Sequence, residues 1–196
     1  MHDYSSGGSR GEVLRRIGIA QSCMNMLKRR IWKSSIRLET KLRLYQTYIV
    51  LVLMYGCETW ATTKYLLSRL DTFDTLALRK ILKIPYTRHV SNAEVRRTTG
   101  CSPFSHLVTN RRLRLFGHVA RSSSREDHHR ILAAAIRQVP LDWKRSVGRS
   151  SHTWLRAIEA DTGYLNFGLV TAWRKATTRD EWRHIMNTAT LQWSTL

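Results

Sequence analysis

The sequence contains few cysteines, and their arrangement excludes several kinds of site. Cys23, Cys57 and Cys101 are an odd number, far apart, without CxxC or CxxxH spacing. Disulfide frameworks and zinc sites both depend on regular cysteine spacings. We therefore expect three reduced thiols, with neither a disulfide framework nor a metal site.

Long apolar runs are also missing. The longest uncharged run extends from Leu44 to Cys57, whereas a membrane-spanning helix needs about 20 apolar residues. The N-terminus is polar and glycine-rich and lacks the basic patch and apolar core of a signal peptide. We expect a nuclear or cytoplasmic protein that is not secreted and has no membrane partner.

Acidic residues are scarce relative to basic ones. The chain has 33 Lys and Arg against 14 Asp and Glu, a net charge of +19. Such a chain repels itself unless a polyanion neutralises it. The basic residues are mixed with aromatic ones along the chain and do not form one amphipathic anchor, which favours nucleic acid over a membrane surface.

The common catalytic and nucleotide-binding motifs do not occur. The sequence contains no GxxxxGK[ST], GxSxG, HExxH or GxGxxG, so nucleotide binding and the commoner hydrolase mechanisms lack support. We expect no cofactor and no small-molecule substrate.

Proline is rare and alternating strand patterns are scarce, which together predict a mainly α fold. A first helix is indicated by apolar residues at steps of three and four from Val13 to Ile31. A second begins near Leu38 and runs into TYIVLVLMYGCETW, which is apolar on nearly every side. An all-apolar helix is typically central, so we expect this one to form the core of a helical bundle.

Further helices are predicted from periodic apolar residues and from N-capping motifs. A third spans about residues 66–84 and ends at Pro85. Ser91 to Glu94 is a capping box that begins a short helix before Gly100, and another helix follows Pro103. Thr178 to Glu181 is a second capping box, preceding a last helix with Trp182, Ile185 and Met186 facing inward. We place a boundary near residues 85–91, after an apolar three-helix part.

The segment RRLRLFGHVAR, residues 111–121, is the best candidate for contact with nucleic acid. On a helix its leucines and Phe116 can dock on a core while the arginines present forked donors to phosphate oxygens. A solvated amphipathic helix explains the pattern equally well. Trp143 lies between further basic residues and is a candidate base contact. The predicted binding residues are Arg111, Arg112, Arg114, Arg121, Trp143, Lys144, Arg145 and Arg149.

Two clusters of polar residues are weaker candidates, for metal binding. His118, His128 and His129 match no ligand spacing, and a capping or hydrogen-bonded histidine is the simpler interpretation. Asp71 and Asp74 lie one helical turn apart, as in some Mg²⁺ sites, but pairing with nearby basic residues explains them as well. An independent metal-dependent nuclease is therefore a minor alternative.

Five blocks in order resemble the C-terminal part of reverse transcriptases from non-LTR (LINE-like) retrotransposons, downstream of the palm. The resemblance covers about residues 11–190. The blocks are YGCETW (55–60), NAEVRRTTG (92–100), RRLRLFGHVAR (111–121), GRSSHTWLRAIEAD (148–161) and RDEWR (179–183).

We expect residues 1–10 to be disordered. The resemblance implies a thumb-like helical region over residues 11–88 and a smaller basic helical region over 89–196. It implies binding to the backbone of template-primer or element RNA, without sequence preference and without synthesis by this chain alone. A separate chain carrying the palm would be a second partner. It also implies structural roles for Tyr55, Gly56, Glu58, Trp60, Gly117, His118, Trp154, Asp180 and Trp182.

The sequence departs from the family in ways that bear on activity. The palm tetrapeptide Phe/Tyr-Ala-Asp-Asp, whose aspartates hold Mg²⁺, does not occur, and Ser150 stands where the family commonly has proline. We therefore expect a truncated reading frame whose product is not an enzyme on its own. The alternative is a structural or protein-interaction remnant with no role in nucleic-acid binding.

Overall fold

The computed structural model describes residues 9–85, 87–137 and 153–191, and within these ranges it is helical with no strand. This confirms the predicted mainly α fold. In the described ranges no helix has both the length and the apolar character needed to cross a bilayer.

The described residues form ten α-helices. Their bounds are α1 Ser9–Met26, α2 Leu38–Leu44, α3 Leu51–Leu53, α4 Lys64–Ile81, α5 Asn92–Thr99, α6 Phe104–Arg121, α7 Asp127–Arg137, α8 Trp154–Thr162, α9 Leu169–Ala176 and α10 Arg179–Leu191. π-Helical turns follow α1 at Lys28–Trp32 and join α2 to α3 at Tyr45–Val50, and 3₁₀ turns occur at Cys57–Thr59 and Gly163–Leu165.

The described residues divide into two compact units. The first contains residues 9–56 and 64–107, and the second contains 57–63, 108–137 and 153–191. This division differs from the predicted boundary at residues 88 and 89. Residues 89–107 join the first unit because Arg96 of α5 pairs with the buried Asp74 of α4, and Asp71 accepts a hydrogen bond from the Ser105 amide at 3.0 Å.

The predicted central helix is wrong in one respect. Residues 38–53 do form a continuous helical segment, but within the first unit α1 and α4 cover only one side of it. The side chains of Tyr48, Leu51 and Tyr55 are 56%, 54% and 68% exposed. The buried positions, Lys41, Tyr45, Ile49 and Leu53, lie four apart because the π turn widens the helix.

Local signals placed several helix ends correctly. The Ser91 hydroxyl accepts a hydrogen bond from the Glu94 amide at 3.1 Å, as the capping box predicts. α5 ends at Gly100, whose φ of 65° is the left-handed conformation that favours glycine. α4 ends at Ile81, three residues before the predicted end.

The second unit has a core built around one aromatic ring. Phe116 lies 6.2, 5.7 and 5.5 Å, centroid to centroid, from Trp154, Trp173 and Trp182. The buried cluster consists of Leu113, Phe116, Ala120, Ile158, Ala172, Trp173, Ala176, Trp182 and Ile185. As predicted, Trp182 and Ile185 of the last helix face inward, and Met186 packs against the cluster.

Candidate nucleic-acid interface

The second unit holds α6 and α10 together through a glycine and a tryptophan. A Cβ atom at Gly117 would lie closer to the Trp182 indole than the 3.0 Å that real Cβ atoms keep. The indole N–H of Trp182 donates to the carbonyl of Leu113 at 2.8 Å. The indole of α10 therefore lies directly on the backbone of α6, and only glycine allows that approach.

This contact places arginines of both helices around one cavity of about 430 Å³. Arg114 and Arg121 come from α6, and Arg179 and Arg183 come from α10. The remaining lining residues are Asn110, Trp182, Met186 and Asn187. No carboxylate is among the described residues that line it.

The cavity is electrostatically positive. Arg121 donates from Nη1 to the Ala176 carbonyl at 2.7 Å, and burial, followed by the charge of Arg179, lowers its pKa. Arg183 pairs with Asp180 at 3.3 Å, where both side chains are exposed, and such pairs contribute little in water. Arg114 makes no ion pair with any described residue. The cavity thus concentrates uncompensated positive charge.

Guanidinium groups arranged in this way suit phosphate oxygens. Each presents planar donors that can form two parallel hydrogen bonds to one phosphate. The two asparagine amides add neutral donors at the same surface. The cavity therefore has the donors needed to hold the phosphates of a nucleic-acid backbone.

Arg112 was wrongly predicted to contact nucleic acid. Its side chain is 1% exposed and forms a buried ion pair with Asp161, at 2.7 Å from Nε to Oδ2. Its Nη1 donates to the Trp60 carbonyl at 2.9 Å and to the Thr62 hydroxyl at 2.7 Å. This guanidinium joins residues 57–63 to α6 and α8, and its burial keeps it from contact with a phosphate.

The other predicted binding residues have separate outcomes. Arg114 and Arg121 line the arginine cavity. Arg111 is exposed on α6, outside the cavity lining, and its guanidinium hydrogen-bonds the Cys57 side chain. Trp143, Lys144, Arg145 and Arg149 lie outside the described residues.

Most of the residues predicted to have structural roles are buried or make hydrogen bonds and packing contacts. Trp60 is buried, and the indole N–H of Trp154 donates to the Glu58 carbonyl at 2.7 Å. In the first unit, Gly56 has a φ of 70°, which ends the helical segment. Tyr55 is one exception, because its ring is exposed and carries the Arg16 guanidinium 4.4 Å from its centroid.

Two more of these residues lie at the surface of the second unit. His118 is exposed on α6, and the Asp180 side chain is 88% exposed where it pairs with Arg183. Neither supports the core. Among the blocks, the structural roles therefore fall mainly on Trp60, Gly117 and Trp182.

The aspartates considered for metal chemistry are occupied by other contacts. Asp74 is buried, accepts a hydrogen bond from the Tyr45 hydroxyl and pairs with Arg96. Burial raises its pKa, against the effect of Arg96. Asp71 caps α6 through Ser105, and in the described part of the chain no group of three His, Cys, Asp or Glu side chains could hold a metal ion.

Arg179 and Arg183 line the arginine cavity but were not among the residues predicted from the sequence. Both belong to RDEWR, which was recognised only as part of a block. The usable signal was their spacing of four, which puts two arginines on one side of α10 next to Trp182. What the sequence alone lacked was the packing of Trp182 on Gly117, which brings that side of α10 to α6.

Comparison with other proteins gives no further guidance. No protein-family model matches this chain, and no match was found among the curated proteins or among the solved structures.

Proposed function

We propose that the second unit binds the sugar-phosphate backbone of nucleic acid. The observation that carries the proposal is the cavity between α6 and α10, where Arg114, Arg121, Arg179 and Arg183 meet without a carboxylate in the described lining. Backbone contacts of this kind give affinity with little sequence preference. The net charge of +19 adds a long-range attraction for any polyanion.

The ordered sequence blocks extend this proposal to an origin. We propose that the chain derives from the thumb and downstream region of a non-LTR reverse transcriptase, and that it holds element RNA or template-primer without copying it. Two of the blocks pack directly on each other, because Gly117 of one contacts Trp182 of another. This contact supports reading the blocks as parts of one structural unit. A palm carried by another chain is a proposed second partner.

Exposed apolar side chains favour a second candidate function, docking of another protein. Tyr48, Leu51 and Tyr55 lie along one segment of the first unit and are each more than half exposed. Groups of exposed apolar residues often mark protein-protein interfaces. A salt-resistant complex with a protein, without retention of nucleic acid, would favour this candidate over the first.

A salt titration of binding tests the first proposal. Four phosphate contacts give a slope of log K against log salt of about −3.6 for duplex DNA and about −2.8 for single strands. The Arg114→Ala/Arg183→Ala double variant is expected to reduce the steepness by about 2. Arg156→Ala is the matched control, since Arg156 is exposed on α8 and does not line the cavity.

The control variant should keep the slope within about one contact of the parent protein. If the double variant and the control bind with the same slope and affinity, the cavity is not the binding site. If the parent protein shows no salt dependence at all, backbone binding itself is excluded.

A further inference from the structure

A second concave site lies along α6, on a different side from the arginine cavity. It is an apolar groove of about 580 Å³ between α6, α7 and α8, within the size range of ligand pockets. Its lining residues are Thr59, Leu115, His118, Val119, His128, Ile131, Leu132 and Trp154. Four of these side chains are aliphatic and three carry planar rings.

The rings of this groove are positioned by contacts outside it. The Trp154 indole N–H is bound to the Glu58 carbonyl at 2.7 Å, which fixes the ring. His128 Nε2 lies 2.8 Å from a Glu126 carboxylate oxygen, with half of its side chain exposed. His118 is exposed. The groove therefore offers flat surfaces and imidazole nitrogens to one ligand.

A ligand that fits this chemistry is planar, with apolar faces and a polar edge. Unpaired nucleobases have that form, and proteins bind them by stacking on Trp and His rings and by hydrogen bonds to their edges. A purely aliphatic ligand would leave the imidazole nitrogens unused. The lining thus favours a base over a lipid chain.

The position of His118 connects this groove to the arginine cavity. His118 follows Arg114 by four residues and precedes Arg121 by three, which is about 6 Å and about 4.5 Å along the helix axis. His118 lines the groove, while both arginines line the cavity. One strand can therefore place phosphates in the cavity and an adjacent base in the groove.

We propose that the groove between α6, α7 and α8 binds an unpaired base, so that the second unit prefers single-stranded to fully paired nucleic acid. This rests on the proposed backbone binding by the arginine cavity and extends it. In a blunt duplex the bases are stacked and paired, so only the arginine cavity can contribute.

The test compares three nucleic acids of equal length: a single-stranded oligoadenylate, the same strand with abasic sugars, and a blunt duplex. The full chain is expected to bind oligoadenylate about tenfold or more tightly than the abasic strand, as stacked bases usually contribute. His118→Ala should reduce that ratio toward one without weakening binding to the abasic strand. Ile131→Asp should also reduce the ratio, while its added negative charge weakens binding to both strands by a similar factor.

The variants are chosen so that folding is preserved. The Ile131 side chain is 70% exposed, and Val170→Asp is the matched control because Val170 is 60% exposed on α9, outside the groove lining. Circular dichroism and thermal melting check that each variant is folded. The control should discriminate between oligoadenylate and the abasic strand as the parent protein does.

The two proposals fail in different ways. Equal affinity for oligoadenylate and the abasic strand, with salt-dependent binding retained, overturns the base site and leaves the arginine cavity standing. The same holds if Val170→Asp reduces the ratio as much as Ile131→Asp. Loss of salt-dependent binding to all three nucleic acids overturns the proposed function itself.

Discussion

Replacing Gly117 with alanine tests the contact on which the second unit and its cavity depend. The added methyl group would meet the Trp182 indole and would lie 2.9 Å from Arg121 Nη1. The indole must then move away from α6. Its buried N–H would lose the Leu113 carbonyl, and its packing on Phe116 would be disturbed.

The expected loss of stability follows from these contacts. Overpacking a core by one methyl group costs about 1–3 kcal/mol. A buried donor left without its acceptor costs about 1–3 kcal/mol more. Alanine returns about 0.5–1 kcal/mol through its better helix propensity. We expect a net loss of about 1–5 kcal/mol, and each kcal/mol lowers the melting temperature of a unit of this size by roughly 4–8 °C.

The measurement is urea and thermal unfolding followed by circular dichroism and tryptophan fluorescence. Gly18→Ala is the matched control, because Gly18 is inside α1 and an added Cβ there meets nothing within 4 Å. It should stabilise the protein by about 0.5–1 kcal/mol. If Gly117→Ala stabilises the protein in the same way, Trp182 does not lie on α6 and the reasoning about the cavity is wrong.

Three other outcomes are expected. Arg112→Met alone should lower the free energy of unfolding by about 3–5 kcal/mol, because it leaves Asp161 buried and unpaired, and adding Asp161→Leu should recover most of that loss in urea denaturation. Burial raises the pKa of Cys57 to about 12, so native protein at pH 8 should leave this thiol unmodified by iodoacetamide, and mass spectrometry should find it labelled only after unfolding. Hydrogen bonds from Arg15 and Arg16 lower the pKa of Glu12 from 4.5 to about 2. The stabilisation of α1 by Glu12 is therefore full above about pH 4.5 and is lost as the pH falls through 2. A carboxyl NMR titration with a midpoint near pH 4.5 would contradict this.

Much of the fold follows from signals that act over a few residues. The capping serine at residue 91, the left-handed glycine at 100 and the proline at 103 fix the ends of α5 and the start of α6 without reference to the rest of the chain. Such local signals can be read directly from the sequence, and the helices they bound were predicted correctly.

Burial depends on which neighbours cover a helix, and it was predicted less well. Ile-Val-Leu-Val-Leu-Met indicated a helix buried on every side, yet Leu51 is 54% exposed. Lys41 on the same segment is 4% exposed, because its ammonium group donates to the Trp32 and Ser34 carbonyls at 3.0 and 2.7 Å. An apolar pattern gives the preference of each residue and not the number of helices available to cover it.

At the candidate site, the sequence gives the number of charged residues but not which of them face the solvent. At 3.6 residues per turn, Arg114 and Arg121 lie almost two full turns apart and share a side of α6. Arg112 lies four residues before Phe116, on the buried side, so the helical pattern already argues against its contact with phosphate. A count of arginines therefore overstates a binding surface.

What gathers these arginines around one cavity is the convergence of two helices. Arg114 and Arg121 on α6 would be ordinary surface charges if α10 lay elsewhere, and so would Arg179 and Arg183. The Gly117 and Trp182 contact is what gathers all four around one cavity. Stability of the second unit and affinity for a polyanion should therefore fall together when that contact is disturbed, whereas neutralising the cavity arginines should weaken affinity and leave the tryptophan core intact.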